Sequence, residues 1–106
     1  MPRCPICAKL IYGNFDMHEA IITRGMVQMS SLEKKEKIHV KENVVLLHPE
    51  CHKDARSSTN KEKCILDIVN YEGEEAVLNW LESIRDDFPT IVDNSIREVQ
   101  NIIEEF

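Results

Sequence analysis

Cys4-Pro5-Ile6-Cys7 near the start of the chain and His48-Pro49-Glu50-Cys51 near its middle set two ligand pairs at the same three-residue interval. A Cys-x-x-Cys alone is ambiguous between a redox pair and a metal knuckle. The second pair changes its value, because two i, i+3 pairs at a turn or helix start supply the four soft or borderline donors that tetrahedral structural zinc uses. The expected ligand set is Cys4, Cys7, His48 and Cys51. His52 follows directly on Cys51, but neighbours on a helix point about 100° apart, so His52 is expected to stay outside that ion's shell. A front portion this short has little apolar core. Structural zinc contributes on the order of 10–16 kcal/mol to small metallo-domains, so the front is expected to depend on the metal for folding.

The fourth cysteine, Cys64, reads as a buried thiol acting as a small hydrophobe. Two disulfides are the alternative use of four cysteines, but Met1-Pro2-Arg3-Cys4-Pro5 carries no apolar signal segment, and a cytoplasmic protein is expected. No run reaches the roughly 18 apolar residues of a membrane span. At 106 residues the length is that of one domain, and three Gly, four Pro and six aromatic residues suit a helix-rich protein better than a barrel or sandwich. The net charge of −6 is uneven: residues 1–64 hold eleven Lys/Arg against eight Asp/Glu, and residues 65–106 two against eleven. Fields are screened beyond roughly 8 Å at physiological salt, so the basic front can meet a polyanion despite the acidic rear.

Local patterns divide the chain the same way. Leu10-Ile11-Tyr12 is expected to form a strand leaving the knuckle, and the stretch Phe15 to Thr23 a second short strand before the turn at Arg24-Gly25. Ser30-x-x-Glu33 reads as the N-cap of a brief surface helix. Val44-Val45-Leu46-Leu47 is too short for a helix and suits a buried strand, and Pro49 is placed to open a helix running towards Arg56. Thr59-x-x-Glu62 is read as a capping box, with Ile65, Ile68 and Val69 on one face and Gly73 as the C-terminal cap. Val77, Trp80, Leu81 and Ile84 mark the next helix, which Phe88-Pro89 ends. In the last one, Val92, Ile96, Val99, Ile103 and Phe106 step by coiled-coil intervals and are expected to be buried, on the core or against a second copy.

The order Cys-x-x-Cys, Asp16-Met17-His18-Glu19, Asn43-Val44-Val45-Leu46-Leu47, His48-x-x-Cys51-His52 resembles the HNH endonuclease family over about Cys4 to Lys53. That resemblance implies a ββα-metal motif, a hairpin followed by one helix. It places the three motif residues at His18 on the first strand, Asn43 where the second begins, and His52 on the helix. Two departures stand out. His48 replaces the usual first cysteine of the second zinc pair, which zinc tolerates. Where many members show two adjacent residues, a metal ligand followed by the base, this chain has His18-Glu19, or Met17-His18 if shifted by one. The direct alignment makes His18 and His52 ligands of a catalytic divalent ion and Glu19 the base, a carboxylate that needs a raised pKa for that work. Asn43 is expected to orient the strand loop through backbone hydrogen bonds. Lys9, Arg24, Lys53, Arg56, Lys61 and Lys63 are candidates for phosphate contacts, and His39 falls outside the motif.

The expected fold is therefore α+β, a zinc-stapled ββα-metal core at residues 1–58 followed by an acidic helical extension at 59–106 that packs on the core or mediates a homodimer. The implied activity is metal-dependent hydrolysis of DNA phosphodiesters, by nicking or double-strand cleavage. It would use a structural zinc ion and a catalytic Mg2+, Mn2+, Ni2+ or Zn2+, in a bacterial or phage-infected cell. The alternative is a non-cleaving zinc-binding module of the same fold that binds DNA or protein, and a third reading is an oligomerisation subunit led by the C-terminal helices.

Overall fold

In the computed structural model, which describes residues 2–106, the front of the chain is a minimal hairpin wrapped by irregular backbone. Strand β1 (Asp16–Glu19) pairs antiparallel with β2 (Val44–Leu47), setting Asp16 opposite Leu47, Met17 opposite Leu46, His18 opposite Val45 and Glu19 opposite Val44. Between the strands lie a 3-10 turn (Arg24–Val27) and helix α1 (Leu32–Glu36). Side chains alternate along a strand, so Val45 and Leu47 are buried while Val44 and Leu46 are only half-buried. Helix α2 (Pro49–His52) leaves β2 after one residue and packs back on β1.

Three longer helices complete the fold: α3 (Ser58–Glu72), α4 (Glu74–Ser83) and α5 (Pro89–Glu105). Gly73, at φ +92°, ends α3 by donating its N–H to the carbonyl of Val69, and α4 starts at once with Glu74 and Glu75 in its first turn, where carboxylates suit the helix dipole. Pro89 opens α5 at a position where no N–H is needed. Helices α3, α4 and α5 pack on one another, and α3 also covers β2. The buried side chains form one cluster, running from Cys4 and Ile11 through Ile21, Ile22 and Leu47 to Ile65, Leu81, Val92 and Val99. Polar ties join front to rear: the Trp80 indole N–H donates to the carbonyl of Lys37 (3.2 Å), and Lys37 Nζ donates to Asp87 (2.6 Å). Among the described residues no helix is long and apolar enough to cross a membrane.

Several boundaries differ from those expected. Leu10-Ile11-Tyr12 is no strand; it is the return arm of the knuckle, held by a single antiparallel bridge between Arg3 and Leu10 and by the Ile11 N–H on the carbonyl of Pro2. Ser31 rather than Ser30 caps α1, its hydroxyl accepting from the Lys34 N–H, and Ser57 rather than Thr59 caps α3, accepting from the Asn60 N–H. Each cap stands three residues before the N–H it satisfies, and that geometry outweighs a Ser/Thr-to-Glu spacing. Regular helix in α2 stops at His52, after which the chain tightens into i to i+3 turns through Ala55. On α5 the buried face is Val92, Ser95, Val99 and Ile102; Ile96 and Ile103 are half-buried, and Phe106 is 74% exposed. The stripe packed on α3 and α4 uses Ser95 and Ile102, each one residue before a seam position and so turned by about 100° from it, while Phe106 stands past the last turn of α5.

Candidate metal centre and catalytic face

The knuckle that carries Cys4 and Cys7 closes through two backbone bonds, Cys4 N–H to the Lys9 carbonyl (2.9 Å) and Ala8 N–H to the Cys4 carbonyl (2.7 Å). Ala8 turns the chain at φ +64°, in the left-handed region. His48 stands at the N-cap of α2 and Cys51 within it, so the strand-to-helix corner faces the knuckle. The ligand atoms of Cys4, Cys7, His48 and Cys51 all lie within 4.8 Å of one another, and this quartet can hold a metal ion such as zinc. The imidazole is oriented for it. His48 Nε2 lies 3.1 Å from the Leu10 carbonyl, which only accepts, so Nε2 carries the proton and Nδ1, 3.3 Å from Cys7 Sγ, keeps its lone pair toward the sulfurs.

The electrostatics fit a cation too. Burial alone would raise the Cys4 thiol, but backbone hydrogen bonds from Cys7, His48 and Ile6 outweigh it and bring Cys4 down to about 6. Burial, with the neighbouring Cys7 and Cys4, pushes Cys51 up to about 12. His48 is raised, chiefly by its hydrogen bond with Cys4. Thiols packed this closely cannot all ionise unaided, and a divalent ion relieves that conflict by binding them as thiolates. Cys64 is buried next to the cluster but outside it, its pKa pushed to about 12 by burial and the nearby charge of Cys4, so it is an inert core thiol.

Asn43 is fully buried immediately before β2. Its Oδ1 accepts from the N–H groups of Ile21 and Ile22 (both 2.9 Å), and its Nδ2 donates to the carbonyls of Ile22 (2.9 Å) and Ile38 (2.8 Å). The amide therefore satisfies four backbone groups that no strand or helix reaches, and it ties the chain leaving β1 to the chain entering β2. With its side chain saturated in this way, Asn43 is a positioning residue and has no donor or acceptor left for an ion.

Beyond the Cys/His quartet, β1 and α2 bring His18 and His52 together, ring centroids 5.0 Å apart at an interplanar angle of 62°. Asp16, on the same strand face as His18, holds His52 through a 2.8 Å bond between Oδ2 and Nδ1. A carboxylate only accepts, so Nδ1 carries the proton and Nε2 of a neutral His52 keeps a lone pair. Burial is the main cause that lowers the His18 pKa, with the proximity of His52 and the positive charge of Arg56 adding to it, so the neutral imidazole is favoured. His18, Glu19, Arg24, His52, Lys53 and Arg56 line a cavity of about 240 Å3. Among the described residues only the Cys/His quartet gathers three or more Cys, His or acidic donors closely enough to hold an ion unaided. The His18–His52 face thus offers two imidazoles.

Glu19 lines the same cavity as His18 and His52, but its carboxylate is already engaged. Its carboxylate accepts a fork from Arg24, Nε to Oε1 at 3.0 Å and Nη2 to Oε2 at 2.8 Å, and His39 Nδ1 stands 3.4 Å from Oε2. Of the other basic candidates, Lys53 pairs with Glu50, Lys61 with Glu98, and Lys63 donates to the Ile6 carbonyl. Arg56 is in no ion pair among the described residues. The Asp16–His52 and Glu19–Arg24 contacts had no signal in residue spacing beyond the shared strand face of Asp16 and His18, and neither did the approach of His39. Comparison of the chain with protein-family models, with curated proteins and with solved structures returns no match.

Proposed function

We propose that this protein is a metal-dependent endonuclease of the HNH type, hydrolysing DNA phosphodiesters at the face shared by His18 and His52. The observation that carries the reading is the meeting of a strand histidine and a helix histidine 5.0 Å apart beside a separate Cys/His cluster, on a hairpin followed by a short helix. Hydrolysis of a phosphodiester requires a nucleophilic water to lose its proton and the leaving oxygen to gain stabilisation as its charge develops. A divalent ion bound at this face supplies the Lewis acid for both. The chain's own residues do the rest. Asp16 fixes the ring of His52 through Nδ1, which leaves Nε2 as the atom that would bind an ion. Asn43 locks the two strand ends, so that His18 keeps its place against His52. Two imidazoles here are enough either to hold the ion together or to divide the work, one for the ion and one for the proton.

Zinc-loaded protein is expected to convert supercoiled plasmid to nicked or linear form when magnesium, manganese or nickel is added, and to be inert without added metal. His52→Ala is expected to abolish that conversion with zinc content unchanged. Inactivity of the parent protein with every metal would overturn the nuclease reading in favour of a non-cleaving zinc module. Loss of zinc along with activity in His52→Ala would undo the separation into two sites.

A further inference from the structure

The Glu19 carboxylate lies next to His18, where a general base is expected, yet both of its oxygens are turned to Arg24 and its side chain is only 11% exposed. A base must present an unshared oxygen to water within hydrogen-bond reach. Glu19 instead makes the two-pronged carboxylate–guanidinium contact that fixes the plane of an arginine. Arg24 gives two of its five N–H groups to this fork, and among the described residues nothing accepts from Nη1. Its side chain is 48% exposed and lines the same cavity as His18, His52, Lys53 and Arg56. The unsatisfied edge of a fixed guanidinium, with the unpaired Arg56 on the same wall, is a site for an anionic oxygen. In a cavity of about 240 Å3 beside two imidazoles, a phosphate group of the substrate is the anion of fitting size and charge.

We propose that Arg24 grips a non-bridging oxygen of the substrate phosphodiester and that Glu19 is the positioning residue that aims it, not the acceptor of the water's proton. His39, against the outer oxygen of Glu19, closes the network from the loop side. This assignment deepens the nuclease reading and rests on it for the identity of the substrate, but the grip itself is a binding property and can be observed without cleavage. No bond is made or broken in it: the phosphodiester oxygen accepts hydrogen bonds from Nη1 and the outer N–H of Nη2, while Glu19 retains Nε and the inner N–H.

The test combines binding and rate. Arginine side-chain NMR of the zinc-loaded protein, titrated with the dinucleotide pTpT, is expected to shift the Arg24 Nε–Hε signal saturably. Glu19→Gln is expected to weaken pTpT binding about as much as Arg24→Ala, by roughly tenfold each, as befits loss of a charge-assisted contact. Arg24→Lys should recover little, because a point charge lacks the fork. In plasmid cleavage the Glu19→Gln, Arg24→Ala double variant is expected to be no slower than Arg24→Ala alone, since Glu19 acts through Arg24. A further loss of about 10²- to 10⁴-fold on adding Glu19→Gln to Arg24→Ala would make Glu19 the base and overturn the proposal. Unmoved Arg24 signals in a protein that cleaves plasmid would overturn it as well, leaving the nuclease reading intact. Shifted signals in a protein inert with every metal would support the grip and refute the nuclease.

Discussion

Between residues 2 and 57 the longest regular element is the five-residue α1, whereas α3, α4 and α5 run to 15, 10 and 17 residues. The two halves satisfy their backbone in different ways. In the rear, N–H and carbonyl groups pair within each helix, and amphipathic faces bury Ile65, Leu81 and Val99. In the front, turns and side chains must supply the partners: Asn43 alone takes four backbone groups, and four ligands from the knuckle and the β2–α2 corner converge on one point. Irregular backbone lets His18, His52 and Arg24, from three different segments, line a single cavity, which successive turns of one helix could not do. The cost is that a few polar groups carry much of the front's backbone pairing, alongside the apolar side chains it adds to the shared core.

The largest way to probe that contrast is to remove a ligand. Cys51→Ser is expected to release zinc and to strip amide-exchange protection from residues 2–57, because the ion's contribution, on the order of 10–16 kcal/mol, exceeds what so small a sheet can supply. Helix α4 and most of α5 should keep protection in the same sample. Collapse of all protection together would show that the shared core, with Trp80 on the Lys37 carbonyl, makes the halves one cooperative unit.

A smaller and sharper comparison sets one front residue against one rear residue, both fully buried. Asn43→Ala leaves backbone donors and acceptors without partners, each costing about 1–3 kcal/mol, for a total of about 3–5 kcal/mol in urea unfolding of the zinc-loaded protein. Leu81→Ala is expected to cost about 2–4 kcal/mol through lost burial and the cavity left behind. The discriminating readout is activity: Asn43→Ala should also lose plasmid cleavage at temperatures where it is still folded, and Leu81→Ala should not. Equal activity in the two would mean that Asn43 is only a structural residue.

The smallest effect concerns the ion pair that bridges the halves. The hydrogen bond from Lys37, and then its charge, hold the Asp87 carboxyl below its ordinary value. A depressed carboxylate contributes stability that is present above the unfolded value of about 3.9 and is lost as pH falls through the lower folded value. The coupling between Lys37→Met and Asp87→Asn, measured by a double-mutant cycle that cancels the metal's own pH dependence, is therefore expected to hold steady from pH 7 to about pH 5 and to shrink in high salt. Fading of the coupling between pH 7 and pH 5 would contradict a carboxylate as the partner.

Legibility followed the range of the interaction. The quartet Cys4, Cys7, His48 and Cys51 could be read from two i, i+3 intervals, because a turn or helix start brings such pairs to one side whatever the rest of the chain does. The helix end at Gly73 was legible for the same reason, since it depends on one residue's own backbone, whereas α4 stops at Ser83, before the expected Phe88-Pro89, and Pro89 instead opens α5. The cap positions were off because several Ser and Thr residues stand together and only the placed N–H groups choose among them.

Pattern alone thus picked out the Cys/His quartet and the helical rear, and the motif order pointed to the two histidines that the structure brings together. Tertiary structure decided that Asp16 holds His52, that both oxygens of Glu19 are taken by Arg24, and that α5 buries Ile102 and exposes Phe106. The reason is physical. Spacing encodes which residues share a turn or a face, but the partner of a charged side chain at a strand end depends on how the following loop returns, and here that return is set by the buried amide of Asn43 binding Ile21, Ile22 and Ile38.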